Sequence, residues 1–287
     1  MKEFPIPVRI IGPGSQPQDD ETLDVMPMPQ GMATYRAPVL PDGAGGRTAA
    51  RAVLAAVGQR LDACLRGETP AALDLAGVAD ADRRLLGEIL GEGEVSAFVR
   101  DDGPGGRGWR VQESVFTGVW RVLGIEAGQV VSDHLEVGAV PAALAAAARE
   151  DAGAPPARRA QEPPPGVQNA PALIEEIEDH RRTRRAGQPT HVINLTLLPV
   201  TPADIAFLDH HLGTGRVVVL SRGYGNCRIT NCRLEDCWRV VYYNSQDVVI
   251  LNTIEIGGLP EVAQACAEDL VDSRGRLAEV LQWMAQE

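Results

Sequence analysis

Three cysteines at intervals of five residues, Cys227, Cys232 and Cys237, are the side chains whose type and spacing most invite chemistry. Thiolates hold zinc and iron–sulfur clusters. The interval argues against a shared ion, because an odd separation in a strand puts successive side chains on opposite faces. The three converge only if a turn separates each pair. Neither interval is C-x-x-C, and Gln112 and Val119 stand near the matching positions earlier in the chain. Burial is the common fate of free cysteine, so structural thiols come first, ahead of a metal or cluster site and of a reactive thiol. Cys64 and Cys266 read as packing groups on apolar helix faces.

Other candidates are weaker. His210 and His211 are neighbours on a helix and point apart, unlike an i, i+4 chelating pair, so they read as a solvated helix end. His134, His180 and His191 lack a partner motif. Gly91 and Gly93 imitate a phosphate loop. Their order is helix then strand, whereas a phosphate cradle runs strand, loop, helix N-terminus, so they read as a helix stop and turn. The basic run HRRTRR, residues 180–185, suits a helix C-terminus and otherwise offers a site for an acidic partner. Glu255, Glu261, Glu268, Asp269 and Asp272 gather on a solvated surface or form a dock for a cationic peptide. No nucleophile elbow, Walker loop or dinucleotide fingerprint occurs.

The elements that position these residues come in two copies. LGEGEVSAFVR from Leu90 answers to LGTGRVVVLSR from Leu212, VWRV from Val119 to CWRV from Cys237, and LEVGAVPAALAAAARE from Leu135 to IEIGGLPEVAQACAED from Ile254. The offsets are 122, 118 and 119 residues, so this is a tandem duplication of units of ordinary domain size. Helical spacing, Gly stops and Val/Ile-rich runs predict α-β-α-β-β-β-β-α in each copy. Thr201, Pro202 and Asp204 mark a capped helix start. The segment from Pro260 reads as the second copy's closing helix, followed by one more amphipathic helix from Ser273. Strands joined by short turns pair antiparallel. The expected fold class is therefore α+β, two tandem repeats, each a mainly antiparallel sheet packed with helices. Boundaries fall at 1–46 for a proline-rich extended arm, 47–152 for the first repeat, 153–169 for a proline-rich linker and 170–287 for the second repeat. Ile6, Val8, Met26, Met28 and Tyr35 give the arm enough apolar groups to pack on the body or a partner.

A net charge of −12 argues against nucleic-acid binding, which requires a basic face. No run approaches the roughly 18 apolar residues of a membrane span, no signal peptide opens the chain, and an odd cysteine count does not suit a secreted disulfide framework. A cytoplasmic protein is expected.

MPQGMATYR from Met28, LGEGEVSA from Leu90, VQESVFTGVWRV from Val111, RGYGNCRI from Arg222, YYNSQDVVILNTIEIG from Tyr242 and PEVAQACAEDLVDS from Pro260 together resemble the HupH/HyaF hydrogenase accessory proteins over nearly the whole chain. The resemblance implies a role in maturing a membrane-bound uptake [NiFe] hydrogenase: a non-catalytic chaperone of the iron–sulfur small-subunit precursor before export, working with other hydrogenase maturation proteins. It carries across no catalytic residue and no cofactor. The candidate contacts are Glu113, Trp120, Asn226, Arg228, Asn244, Gln246, Asp247 and Glu255. Trp120 and Trp238 also suit core anchors, Asn244 and Asp247 a turn, and the recurring Glu136 and Glu255 a shared structural bond. The alternative is a metal- or iron–sulfur-handling factor built on Cys227, Cys232 and Cys237.

Overall fold

The structure, a computed structural model, describes residues 46–100, 106–153, 163–185, 187–223 and 226–286. Nearly all of the expected N-terminal arm, and linker residues 154–162, lie outside the described residues. The first half contributes α1 (Thr48–Leu65), β1 (Leu73–Asp74), α2 (Asp80–Leu90), β2 (Val95–Val99), β3 (Arg107–Glu113), β4 (Val119–Glu126), β5 (Gln129–Val137) and α3 (Ala142–Ala152). The second contributes α4 (Ala170–Thr183), β6 (His191–Asn194), α5 (Pro202–Leu212), β7 (Thr214–Ser221), β8 (Asn226–Cys232), β9 (Cys237–Tyr243), β10 (Val249–Ile256) and α6 (Ala267–Trp283). This is the α+β tandem repeat that the sequence predicts.

The two sets of strands form one sheet. Its order is β1-β5-β4-β3-β2-β7-β8-β9-β10-β6, antiparallel throughout. Counterpart strands stand at mirrored positions about the β2–β7 seam. Ala97 faces Val219, its own counterpart at the 122-residue offset, with Val95 opposite Ser221 and Val99 opposite Val217 on either side. A local twofold axis therefore passes through the seam. The join also pairs two edges that would otherwise offer bare amide and carbonyl groups to other chains.

Alternation sorts side chains onto two faces. On one face Val95, Ala97, Val111, Trp120, Val217, Val219, Ile229 and Trp238 form a core beneath Leu144 and Ala147 of α3. On the other face two cores sit at the ends. Leu54, Val57 and Leu61 of α1 pack with α2 and with Leu277, Val280 and Met284 of α6 over Val119 and Leu135. Leu173 and Ile177 of α4 pack with Leu208 of α5 over Cys237 and Ile254. Burying each such large side chain contributes about 1.5–3 kcal/mol. The helices trade halves: α6 of the second copy seals α1 of the first, while α3 of the first lies on β7 and β8 of the second.

Three local expectations are corrected. The stretch from Pro260 makes only a 3-10 turn, Glu261–Ala263. The chain then extends so that the Ala265 amide donates to the Ala139 carbonyl at 3.0 Å. A capping box of Cys266 and Asp269 then starts α6 as one helix of 17 residues, in place of two. Cys266 is thus an exposed cap rather than a packing group. His211 turns inward, with Nε2 4.0 Å from Glu178 Oε1, while His210 stays exposed.

The cap of α5 forms as the motif predicts. Thr201 accepts from the Asp204 amide, and Asp204 accepts from the amides of Gln168, Asn169, Ala170 and Thr201. Burial opposes ionisation of Asp204, but these bonds outweigh it and hold the carboxyl well below its ordinary value.

Candidate functional site

Between the two helical ends, no helix among the described residues covers the sheet face opposite α3. Its floor alternates apolar and cationic groups. Phe98 and Leu220, at 39% and 38% exposure, sit one on each side of the seam. Arg110 stands opposite Phe98 on β3, and Arg228 opposite Leu220 on β8. A cleft of about 600 Å³ opens over Phe98, Arg110, Gln112, Arg121 and Leu123. A second, of about 280 Å³, opens over Arg228, Thr230, Arg239 and Val241. The two clefts use counterpart residues: Arg110 and Arg228, Arg121 and Arg239, Leu123 and Val241.

The four arginines divide into two kinds. Arg121 is locked by two bonds to Asp133, at 3.0 and 2.8 Å. Arg239 is locked by Asn252 at 2.6 Å and by Asp209 of α5 at 3.2 Å. Arg110 and Arg228 are exposed, and among the described residues neither has an ion-pair partner. Glu92 also lines the first cleft and Asp209 the second, so the cationic character of this apolar floor is that of Arg110 and Arg228, in a chain of net charge −12. It suits a partner offering carboxylates beside apolar side chains, since free guanidinium groups bind carboxylates bidentately and exposed apolar patches mark contact sites.

Of the contacts named from sequence, Arg228 is the one that reaches this trough. Asn226 is exposed at the start of β8. Asn244 accepts from the amides of Gln246 and Val248, at 2.9 and 3.0 Å, and so shapes a hairpin turn that leaves Gln246 and Asp247 exposed, Asp247 with φ 58°. Glu255 is half-buried on the α3 face, where burial raises its carboxyl above the ordinary value and the Thr253 hydroxyl binds it. Two choices are corrected. Trp120 is 1% exposed and its indole N–H donates to the Gly138 carbonyl at 2.8 Å, as Trp238 does to Gly257 at 3.3 Å. Both are core anchors out of a partner's reach.

Glu113 is also buried. One carboxylate oxygen accepts from the Val95 amide and the other from the Gly118 amide, both at 3.3 Å. Burial pushes this carboxyl up to about 7 against those two bonds, and the Glu94 and Asp269 charges add to the rise. Its counterpart is Asn231, which accepts from Val217, the counterpart of Val95, at 2.9 Å. Asn231 also donates to Asp151 of α3, at 3.0 Å. Glu113 therefore braces the start of β2 and touches nothing outside. Glu136 likewise accepts from the Ala142 amide and holds the start of α3.

The three cysteines do not gather at one point, although two of them meet. Cys227 lies in the central core under α3, while Cys232 and Cys237 lie in the core of α4 and α5 on the other face. Burial pushes the Cys227 thiol up to about 11. A hydrogen bond with Cys232, together with burial, drives Cys237 well above the ordinary thiol value. Cys227 and Cys237 are thus neutral thiols at physiological pH, unlike reactive cysteines, whose pKa is depressed.

Sequence reasoning missed the trough, although its signal was present. Arginine recurs at the 118-residue offset in WRVQ and CRIT and again in VWRV and CWRV. It also missed a cluster of Glu176, His180 and His191. The helical i, i+4 spacing of Glu176 and His180 was legible, but the third member comes from a strand.

These features define a class: an internally duplicated α+β protein whose halves share one sheet and carry counterpart arginines on one of its faces. The model of the HupH hydrogenase expression protein C-terminal conserved region matches twice, at residues 48–162 and 167–284. The chain is 48% identical to the hydrogenase expression/formation protein HoxQ of Cupriavidus necator over 99% of each chain. It is 46% identical to HupH of Rhodobacter capsulatus over 98% of each. It is 34% identical to the hydrogenase-1 operon protein HyaF of Escherichia coli over 96% of each. The chain belongs to the HupH family of hydrogenase expression/formation proteins. Among the described residues no helix is long and apolar enough to cross a membrane.

Proposed function

We propose that this chain is a non-enzymatic accessory protein in the maturation of a membrane-bound uptake [NiFe] hydrogenase. It holds the iron–sulfur small-subunit precursor in the cytoplasm before export, and the open trough is the surface that takes the client. The observation that carries the surface is the duplicated pairing of a free guanidinium with an exposed apolar side chain, Arg110 with Phe98 and Arg228 with Leu220. Charge steers encounter and sets register, while the apolar floor supplies burial. The names of the relatives support the pathway, and the small subunit as client is this reading's own addition. The cysteine-based alternative gains nothing from thiols that lie in two different cores.

The test is co-expression of the tagged chain with the precursor small subunit and, separately, with the large subunit, followed by isolation without oxygen and metal analysis. Capture of the small subunit is expected, and the double variant Arg110→Glu/Arg228→Glu should lose it while melting like the parent. Capture of the large subunit alone would overturn the client assignment. Capture of the small subunit by the charge-reversed variant would remove the trough from the reading. Stoichiometric iron or zinc on this protein, lost on Cys227→Ser, would favour a metal-handling factor instead.

A further inference from the structure

Away from the trough, Glu176 and His180 of α4 and His191 at the start of edge strand β6 place a carboxylate oxygen and two ring nitrogens within 4.8 Å of one another. Glu176 and His180 are one helical turn apart and so share a face. His191 pairs with Ile256 through its backbone, which fixes the third donor against that face. The Glu176 carboxylate is 2.7 Å from His191 Nε2. The two imidazoles stack with centroids 3.5 Å apart and planes 9° from parallel. All three side chains are half-buried, accessible yet held.

Three of the neighbouring cations are committed elsewhere. Arg181 binds Glu178 and the Glu235 carbonyl, Arg182 binds Asp179, and Arg184 binds Asp236. Their charge is thus balanced by carboxylates other than Glu176. Two imidazoles and one carboxylate form the donor set of borderline divalent transition metals, not of calcium or magnesium. Three protein ligands with a position left for water is the pattern of an accessible site. Bonds of about 2.0–2.1 Å to nitrogen place tetrahedral donors roughly 3.3 Å apart, so closing the set requires the stacked, half-exposed imidazoles to turn out of their parallel arrangement until both ring nitrogens point at one ion.

We propose that Glu176, His180 and His191 form a binding site for one divalent transition-metal ion, with water completing the coordination. This site is independent of the client surface and of the cysteines.

The experiment uses the untagged full chain carrying Cys266→Ser, which removes the exposed thiol while keeping a good helix cap. Zinc(II) is titrated against a colorimetric chelator, and cobalt(II) is followed by absorption. One equivalent is expected, with cobalt d–d bands and without the near-ultraviolet charge transfer of a thiolate. His180→Ala and His191→Ala should each weaken binding more than about tenfold, since even outer partners of metal ligands are worth that much. Glu176→Gln should weaken it, and His210→Ala should leave it unchanged. Zinc should raise the melting temperature of the parent but not of the two histidine variants, whose metal-free melts show whether they fold. No saturable equivalent, binding unaffected by both histidine changes, or a thiolate charge-transfer band would each overturn the site.

Discussion

Replacing Glu113 with glutamine should remove a pH dependence of stability that the wild-type chain carries. In the folded state this carboxyl titrates near 7, against an ordinary 4.5. Below about pH 4.5 it is protonated in both folded and unfolded chains and costs nothing. As pH rises the unfolded chain releases its proton first, so stability falls, and the full cost is present above about pH 7. With each pKa unit worth about 1.4 kcal/mol, that full cost is about 3.5 kcal/mol, of which about 2.5 kcal/mol develops between pH 5 and 8. Glutamine keeps one carbonyl acceptor for the Val95 or Gly118 amide and leaves the other amide poorly served. That loss, about 1–3 kcal/mol, does not vary with pH. The assay is urea unfolding followed by circular dichroism at pH 5, 6, 7 and 8, with the slope of each transition checked for constancy. The difference between wild type and Glu113→Gln should shift in favour of the variant by about 2.5 kcal/mol across that range. Other carboxyls, Glu255 included, tilt both curves alike and cancel. Parallel curves would refute the reasoning, because they would mean that the buried carboxyl carries no more charge penalty than a solvated one.

Two further substitutions probe the joints between halves. Asp151→Ala removes the acceptor of Arg216, bound at 2.6 Å through both amide and guanidinium, and of Asn231 at 3.0 Å; a loss of about 3 kcal/mol is expected, as for other broken buried pairs, read from the urea midpoint. Gly118→Ala meets φ +84° and a Leu270 methyl where its Cβ would go, so a loss of more than about 1 kcal/mol should appear in thermal unfolding.

The duplication was readable because its motifs carry the core. LGEGEV and LGTGRV begin the seam strands, and the repeated WRV holds Trp120 and Trp238. The join of β2 to β7 was not readable, since a strand's own alternation does not say which strand lies beside it. For the same reason Trp120 and Glu113 looked available for contact: type and recurrence reveal nothing about which side of a sheet is covered. Arg228 was named from its motif, but Arg110 went unnoticed because what distinguishes it is its place opposite Phe98 on the sheet. The closing helix failed for a local reason. Pro260 through Cys266 has helical composition, yet the Ala265 amide finds its acceptor in Ala139 rather than one turn back.

The twofold seam also bears on how such a chain is put together. Two identical subunits pairing through β2 would form a sheet of the same pattern, but only at concentrations high enough to populate the pair. Joining the copies in one polypeptide makes that encounter intramolecular, and its effective concentration is fixed by the connecting segment. The exchanged helices tighten the dependence. A fragment holding only the first copy would show β2 as an open edge and would expose the side of α1 that Leu277 and Val280 cover. Such a fragment should self-associate, and adding the second copy in trans should disperse it into one-to-one pairs.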